Sequence, residues 1–292
     1  MKKVLVIGGS GFIGNYIIKE CLSRDWIAHN WDKKNNSKVY NLDITKLTPQ
    51  SFPNFNFCDC DFIYHLAAIS DINDCWNKPV EAIDINIGGL CRVLEMIRHY
   101  DMSFGYFKRF IYSSSMYVYN TDSGPYGITK RAAEDLIKWY QKEYDINYTI
   151  LRYGSIYGPG ADDNNSMKRL IENALKTGII SYYGTGDEVR EYIHVKDLAK
   201  ITVELSYTTE FKNSTVNLTG QYPMKAKDMC YMIRDILGTE YKVEFKGEKP
   251  FNHYAVTPYK YQREVARKYV AQNYYDMGAG LLELITELDK GG

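Results

Sequence analysis

No apolar run of about 18 residues occurs in the chain, so no helix is expected to cross a membrane. There is no excess of either charge. Lys+Arg and Asp+Glu each number 36 among 292 residues, which removes a general attraction to nucleic acid or to an anionic membrane surface. No CxxC pair occurs among the six cysteines, and Cys58 and Cys60 stand too close for the usual zinc knuckle. Reduced buried thiols in a cytoplasmic protein are therefore expected, with no metal site. Internal repeats and low-complexity linkers are lacking too. The 27 tyrosines have no basic groove around them and read as core and surface filler rather than a platform for bases. The opening MKKVLVIGG sets lysines before apolar residues, but Val4–Ile7 runs into glycine too soon for a leader and reads as a buried strand.

What is present is alternation. Strands are expected at Lys3–Ile7, Trp26–Trp31, Val39–Leu42, Asp61–Leu66, Arg109–Ser113 and Tyr148–Leu151. Helices are expected at Phe12–Arg24, from Pro79 to about Tyr100, and at Tyr126–Tyr144. This order predicts an α/β fold built on a Rossmann-type doubly wound parallel sheet. After Arg152 the elements shorten. A helix is expected from about Met167, a strand near Ile179–Tyr183, a helix near Lys196–Ser206, a strand at Thr215–Leu218, and helices at Lys225–Leu237 and Leu281–Leu288.

Gly8, Gly11 and Gly14 follow the first strand and open the first helix with the spacing GxxGxxG. Residues without Cβ let backbone approach a pyrophosphate, and the helix N-terminus offers N–H groups and partial positive charge to it. Asp32 ends the second strand. A carboxylate there accepts both ribose hydroxyls of an adenosine and repels a 2′-phosphate, which favours NAD over NADP. Lys33 and Lys34 follow at once and leave room for a 2′-phosphate. The expected division is an NAD-binding Rossmann domain at 1–153, with a returning segment at about 187–209, and a smaller C-terminal α/β substrate domain at 154–292.

Tyr126 and Lys130 are spaced to share one helix face, shortly after the run Ser113–Ser115. A free phenol has a pKa of about 10 and is a poor base at neutral pH. An ammonium about 5 Å away contributes on the order of 3 kcal/mol, or about two pKa units, toward ionising it.

Together these segments resemble the extended short-chain dehydrogenase/reductase family, in its nucleotide-sugar epimerase/dehydratase branch. The resemblance covers most of the chain: GGSGFIG (8–14), Asp32, Leu42-Asp43-Ile44, HLAA (65–68), Asn86, SSSMYVY (113–119), YGITK (126–130), LRYGSIYGP (151–159) and REYIHVKDLA (190–199). It implies NAD as cofactor and a nucleotide-diphosphate sugar as substrate. Ser115, Tyr126 and Lys130 would be catalytic. Gly8, Gly11, Phe12, Ile13, Gly14 and Asp32 would bind the cofactor, with Asp43 and Ile44 at the adenine. Leu66, Ala67 and Ala68 would line its pyrophosphate and ribose, and Asn86, Ser113, Tyr126, Lys130 and Tyr153 would complete its contacts. Asn86 could instead bond backbone inside its helix. Ser70, Ser115, Ser155, Asn165 and Arg190 would hold the substrate, Arg190 on the diphosphate unless Glu188 or Glu191 pairs with it. His194 is expected to be structural. The second diphosphate cation has no clear position, with His253, Tyr254 or Arg263 as candidates.

The resemblance further implies oxidation of a sugar hydroxyl, C4 by family habit. Dehydratases carry Asp-Glu after the catalytic residue to eliminate water. Here Met116-Tyr117 follow Ser115, leaving epimerase as the main expectation, a 4-dehydrogenase releasing a keto-sugar (of GDP-heptose type, for example) as the alternative, and a non-catalytic NAD-sensing regulator behind both. A homodimer through the two long helices is expected.

Overall fold

The computed structural model describes residues 1–33, 40–48, 60–104, 108–120, 122–247, 255–257 and 266–290. Lys34, Val39, Cys58, His253, Tyr254 and Arg263 lie outside these residues.

The chain starts in the middle of its sheet. β1 (Lys3–Ile7) is followed by α1 (Phe12–Ser23), β2 (Ile27–Asp32) and β3 (Tyr40–Asn41), which step outward on one side. β4 (Phe62–His65) then pairs with the other side of β1. From there α2 (Ile72–Asn77), α3 (Pro79–Ile83), α4 (Leu90–Phe104), β5 (Arg109–Ser115), α5 (Gly124–Tyr144) and β6 (Tyr148–Tyr153) continue the sheet outward. The chain leaves it for β7 (Ser155–Tyr157), α6 (Ser166–Thr177), β8 (Ile179–Tyr182), β9 (Val189–Arg190) and β10 (Tyr192–His194). α7 (Val195–Tyr207) leads back to β11 (Ser214–Leu218). Outside the sheet again come β12 (Met224–Lys225), α8 (Ala226–Leu237) and β13 (Lys242–Phe245), before β14 (Arg267–Lys268) and α9 (Met277–Asp289).

The main sheet has eight strands in the order β14-β11-β6-β5-β4-β1-β2-β3, every pair parallel. Strand β1 is apolar and buried from Val4 to Ile7 because both its faces are covered. Leu5 and Ile7 join Trp31, Ile63, Phe110, Tyr112 and Ile150 under α4 and α5. Val4 and Val6 join Tyr64, Ile111 and Leu151 under α1 and α7. A third core, with Ile171, Ala174, Ile180, Ile233, Leu281 and Leu284, ties α6, α8 and α9 together. Strand order reverses between β1 and β4, so the loops after them part at the carboxyl edge and open a crevice, the usual ligand position in such sheets.

Two expectations change. The helix from Pro79 does not run regularly to Tyr100. It passes through a π-helical segment at Asp84–Gly89 and continues to Phe104. The segment returning to the main sheet also reaches beyond 187–209: Ser214–Leu218 pairs with β6, and Arg267–Lys268 pairs with β11. Among the described residues, no helix is long and apolar enough to cross a membrane. Cys21, Cys60, Cys75, Cys91 and Cys230 carry free thiols.

Candidate active site

The crevice opens into a cavity of about 550 Å³. At one end is the glycine turn. Gly8 has φ +86°, and a Cβ there would lie 2.6 Å from the Ala67 backbone nitrogen, so the loops after β1 and β4 meet only because residue 8 has no side chain. Gly11 is the N-cap of α1 and no side chain caps that helix, which leaves its N-terminus fit for an anion. Asp32 faces the same end, its Oδ2 accepting the Ser10 N–H at 3.0 Å. Phe12, Ile13, Gly14, Asp43, Ile44, Leu66, Ala67 and Ala68 line this half, together with Trp31 and Lys33. The Asp43 carboxylate accepts the Thr45 hydroxyl and N–H, which fixes the short turn that carries Ile44.

At the other end β5 and α5 bring Ser113, Ser115, Tyr126 and Lys130 to the wall. Pro125 fits the first turn of α5, where no intrahelical N–H is required. Tyr126 and Lys130 stand one turn apart and are buried, at 9% and 4% exposure. The Lys130 ammonium donates to the Ser113 carbonyl at 2.7 Å and lies 6.0 Å from the centre of the Tyr126 ring. The Ser115 hydroxyl accepts the Tyr117 N–H at 3.3 Å, capping the turn Met116–Tyr119. Tyr117, given no binding or catalytic role from the sequence, stands edge-on to Tyr126 with ring centres 5.8 Å apart and also lines the cavity.

Burial lowers the Lys130 pKa from its ordinary 10.5 to about 8, against the opposing pull of Cys75 and Glu134. The unfolded state thus holds a proton that the folded state gives up between about pH 8 and 10.5. The cost of the buried ammonium is complete below about pH 8 and disappears as pH rises through that window. Lys130→Met is accordingly expected to stabilise the ligand-free protein at pH 7. The burial term is worth as much as about 3 kcal/mol, and the lost Ser113 hydrogen bond offsets about 1 of it. Thermal unfolding of both proteins at pH 7 and above pH 10 measures this; a variant no more stable than wild type at pH 7 would contradict it.

Arg190 lies at the substrate side, 8% exposed, its Nη1 donating to the carbonyls of Val189 and Ala255. The neighbouring acids have partners of their own. Glu188 accepts the N–H groups of Thr185 and Gly186, while Glu191 accepts the Thr219 hydroxyl and sits 3.1 Å from the Lys268 ammonium. Ser70, Tyr153 and Ser155 reach the cavity as well. Asn165 does so while capping α6, its Oδ1 accepting from Met167 and Lys168 and its Nδ2 donating to Ile156.

Asn86 departs from expectation. It is not on the cavity wall. Its Oδ1 accepts the Ile69 N–H, and its Nδ2 donates to the Ile69 carbonyl and the Thr129 hydroxyl. Those bonds use both N–H donors of the amide and one of the two acceptor positions of its oxygen, so Asn86 pins the loop after β4 to α5. His194 is a helix cap: Nδ1 accepts from Lys196, and the ring stacks on Tyr275 at 4.4 Å. Sequence reasoning missed Arg169 and Tyr192, both on the wall. Tyr192 had a signal, since in extended chain it shares a face with Arg190. Arg169 had none, because nothing in its neighbours says which side of α6 meets the cavity.

Comparison with known proteins agrees with this geometry. The chain matches the model of the NAD dependent epimerase/dehydratase family over residues 4–219. It belongs to that family. It is therefore an NAD-dependent enzyme of the epimerase/dehydratase type, and the glycine turn with Asp32 suits that cofactor. A Methanocaldococcus jannaschii protein provisionally named UDP-glucose 4-epimerase is 28% identical over 84% of each chain. A dTDP-glucose 4,6-dehydratase of Salmonella typhimurium is 25% identical over 91% of this chain and 88% of its own. Among solved structures, a UDP-glucuronic acid 4-epimerase from Bacillus cereus, in complex with UDP-glucuronic acid and NAD, superposes with a TM-score of 0.81. That match covers 99% of this chain and 100% of the other at 22% identity, and it establishes the shared fold.

Proposed function

We propose that this family member is a nucleotide-sugar 4-epimerase, with UDP-sugars as the first substrates to test. The observation that carries the reading is the cavity itself, with the Ser115, Tyr126 and Lys130 side chains at one end, the glycine turn and Asp32 at the other, and Arg190 and Arg169 on a third side. A nucleotide diphosphate bound there would meet two guanidiniums, which suit phosphate oxygens, and the N-terminus of α6. The relatives named for UDP-glucose and UDP-glucuronate epimerisation supply the nucleotide.

When bound, NAD supplies a hydride acceptor that can also return the hydride. The chain's own residues handle the proton. Tyr126 takes the hydroxyl proton as the sugar carbon is oxidised and gives it back on reduction. Lys130, fixed on the Ser113 carbonyl, supplies positive charge that favours the phenolate. Ser115 donates to the same sugar oxygen and steadies the ketone. Epimerisation requires the ketone to present its other face before the hydride returns. Water elimination has no support from the residues after Ser115: Met116 is fully buried, and Tyr117 is a phenol where an acid pair is needed. The proposed homodimer would use the outer faces of α4 and α5, where Ile128 and Trp139 stand about half exposed.

The test is a panel of UDP-, dTDP-, GDP- and CDP-sugars with NAD, followed by product NMR and by absorbance of reduced nicotinamide. Conversion of a UDP-sugar to its C4 isomer without net cofactor reduction is expected. A keto-sugar formed with stoichiometric reduced cofactor would replace epimerase by dehydrogenase. No turnover of any sugar, with tight NAD binding, would leave the regulator.

A further inference from the structure

Behind the cavity wall lies a buried polar cluster centred on Glu134, of which Ser114 alone reaches the cavity. Helix α5 repeats its inward face at Tyr126, Lys130 and Glu134, one turn apart each time. Glu134 is 3% exposed and reaches the sheet. Its carboxylate accepts the Ser114 hydroxyl at 2.5 Å, Arg152 Nε–H at 2.9 Å and Arg152 Nη2–H at 2.6 Å. Ser114 and Arg152 are direct register partners on β5 and β6, so one carboxylate grips both strands. The Arg152 guanidinium also lies 4.6 Å from the Tyr119 ring, at the end of the turn that Ser115 caps. Ser114 separates Ser113, whose carbonyl holds Lys130, from Ser115. The cluster thus touches every element that carries a reacting side chain.

A buried ion pair is weak evidence for stability, since an apolar replacement of similar volume often folds as well. Its contacts with both strands and the helix point to a role in placement. The groups facing Lys130 point the same way. They are Cys75 from α2, His65 from β4, Tyr112 from β5, and Tyr126 and Glu134 from its own helix. Burial holds His65 down at about 3 and lifts the Cys75 thiol to about 11, so both are neutral around pH 7. Glu134, paired with Arg152, is the carboxylate among them.

We propose that Glu134 is a positioning residue for the Ser115, Tyr126 and Lys130 set: it fixes the phase of α5 over β5 and β6 and supplies the negative charge against which Lys130 remains an ammonium. This rests on Tyr126 and Lys130 being the reacting pair. A readout without substrate keeps the two questions apart: the NMR titration of the Lys130 ¹³Cε resonance, assigned by its loss in Lys130→Met. In Glu134→Gln the titration midpoint is expected to fall by about one pH unit, and the alkaline limb of the kcat profile to move with it. At pH 8 kcat is expected to fall about fivefold, with NAD affinity within about twofold of wild type. Glu134→Asp keeps the charge on a shorter arm and should restore the midpoint while kcat stays low. If Glu134→Gln folds poorly, the double variant Glu134→Met, Arg152→Met provides an apolar pair of similar volume and should also lower the midpoint. An unchanged Lys130 midpoint in both the Gln and the double variant overturns the proposal, as does a uniform loss of kcat with no movement of the alkaline limb.

Discussion

Tyr126→Phe is expected to lower kcat on the order of 10³-fold while leaving NAD affinity within about twofold of wild type. The substitution removes one oxygen and leaves the ring, its edge contact with Tyr117 and its packing beside Ile72, Cys75 and Ala82 in place. Binding and folding should therefore be spared, and only the proton transfer lost. Steady-state turnover of a UDP-sugar, beside calorimetric titration with NAD, separates the two. A variant keeping more than about a tenth of the wild-type kcat would remove Tyr126 from the role of base, because general base catalysis is ordinarily worth about 10²- to 10⁴-fold. A large loss of NAD affinity would instead mean that the phenol is a binding contact.

Gly14→Ala is expected to weaken NAD binding on the order of 100-fold, equivalent to about 2.7 kcal/mol. A Cβ at residue 14 would lie 2.4 Å from the Gly8 carbonyl oxygen and 2.6 Å from Gly9 Cα. Both are backbone atoms of the phosphate turn, so no side chain can swing aside and the turn itself must open. Gly11→Ala is the internal control. Its Cβ would approach only the Gly8 oxygen, at 3.3 Å, and a loss within about tenfold is expected. Equal effects of the two substitutions would show that steric closure at residue 14 does not shape the turn.

The sequence carried most of the main sheet because its strands are buried on both faces. Four apolar residues, Val4–Ile7, running into glycine placed β1 at Lys3–Ile7, where the structure has it. The spacing of Tyr126 and Lys130 was likewise legible, since a helix fixes which residues share a face. Short pairings were not. β7, β9, β10 and β12 have two or three residues each, too few to hold a period, and their partners lie far along the chain. The place of Asn86, off the cavity wall, was hidden for another reason. It lies in the π-helical segment, where the extra residue per turn alters which side chains face inward, and sequence spacing assumes a regular helix. The candidate site was therefore readable where regular elements present it, and less so where loops or an irregular turn complete it.

The return of β11 to the main sheet limits how this protein can be divided. Residues 1–153 read as a unit, yet β6 finds its second neighbour in Ser214–Leu218, after the chain has already built α6 and the strands around Arg190. Cut after Tyr153, the amino-terminal piece would present β6 as a bare edge, a row of unpaired N–H and C=O groups open to another chain. The same connections pass between the two walls of the cavity at Tyr153–Ser155, at His194–Val195 and between Leu218 and Met224. Walls joined by several strands cannot swing about one linker, so closure over a substrate must come from small sliding movements shared among these crossings.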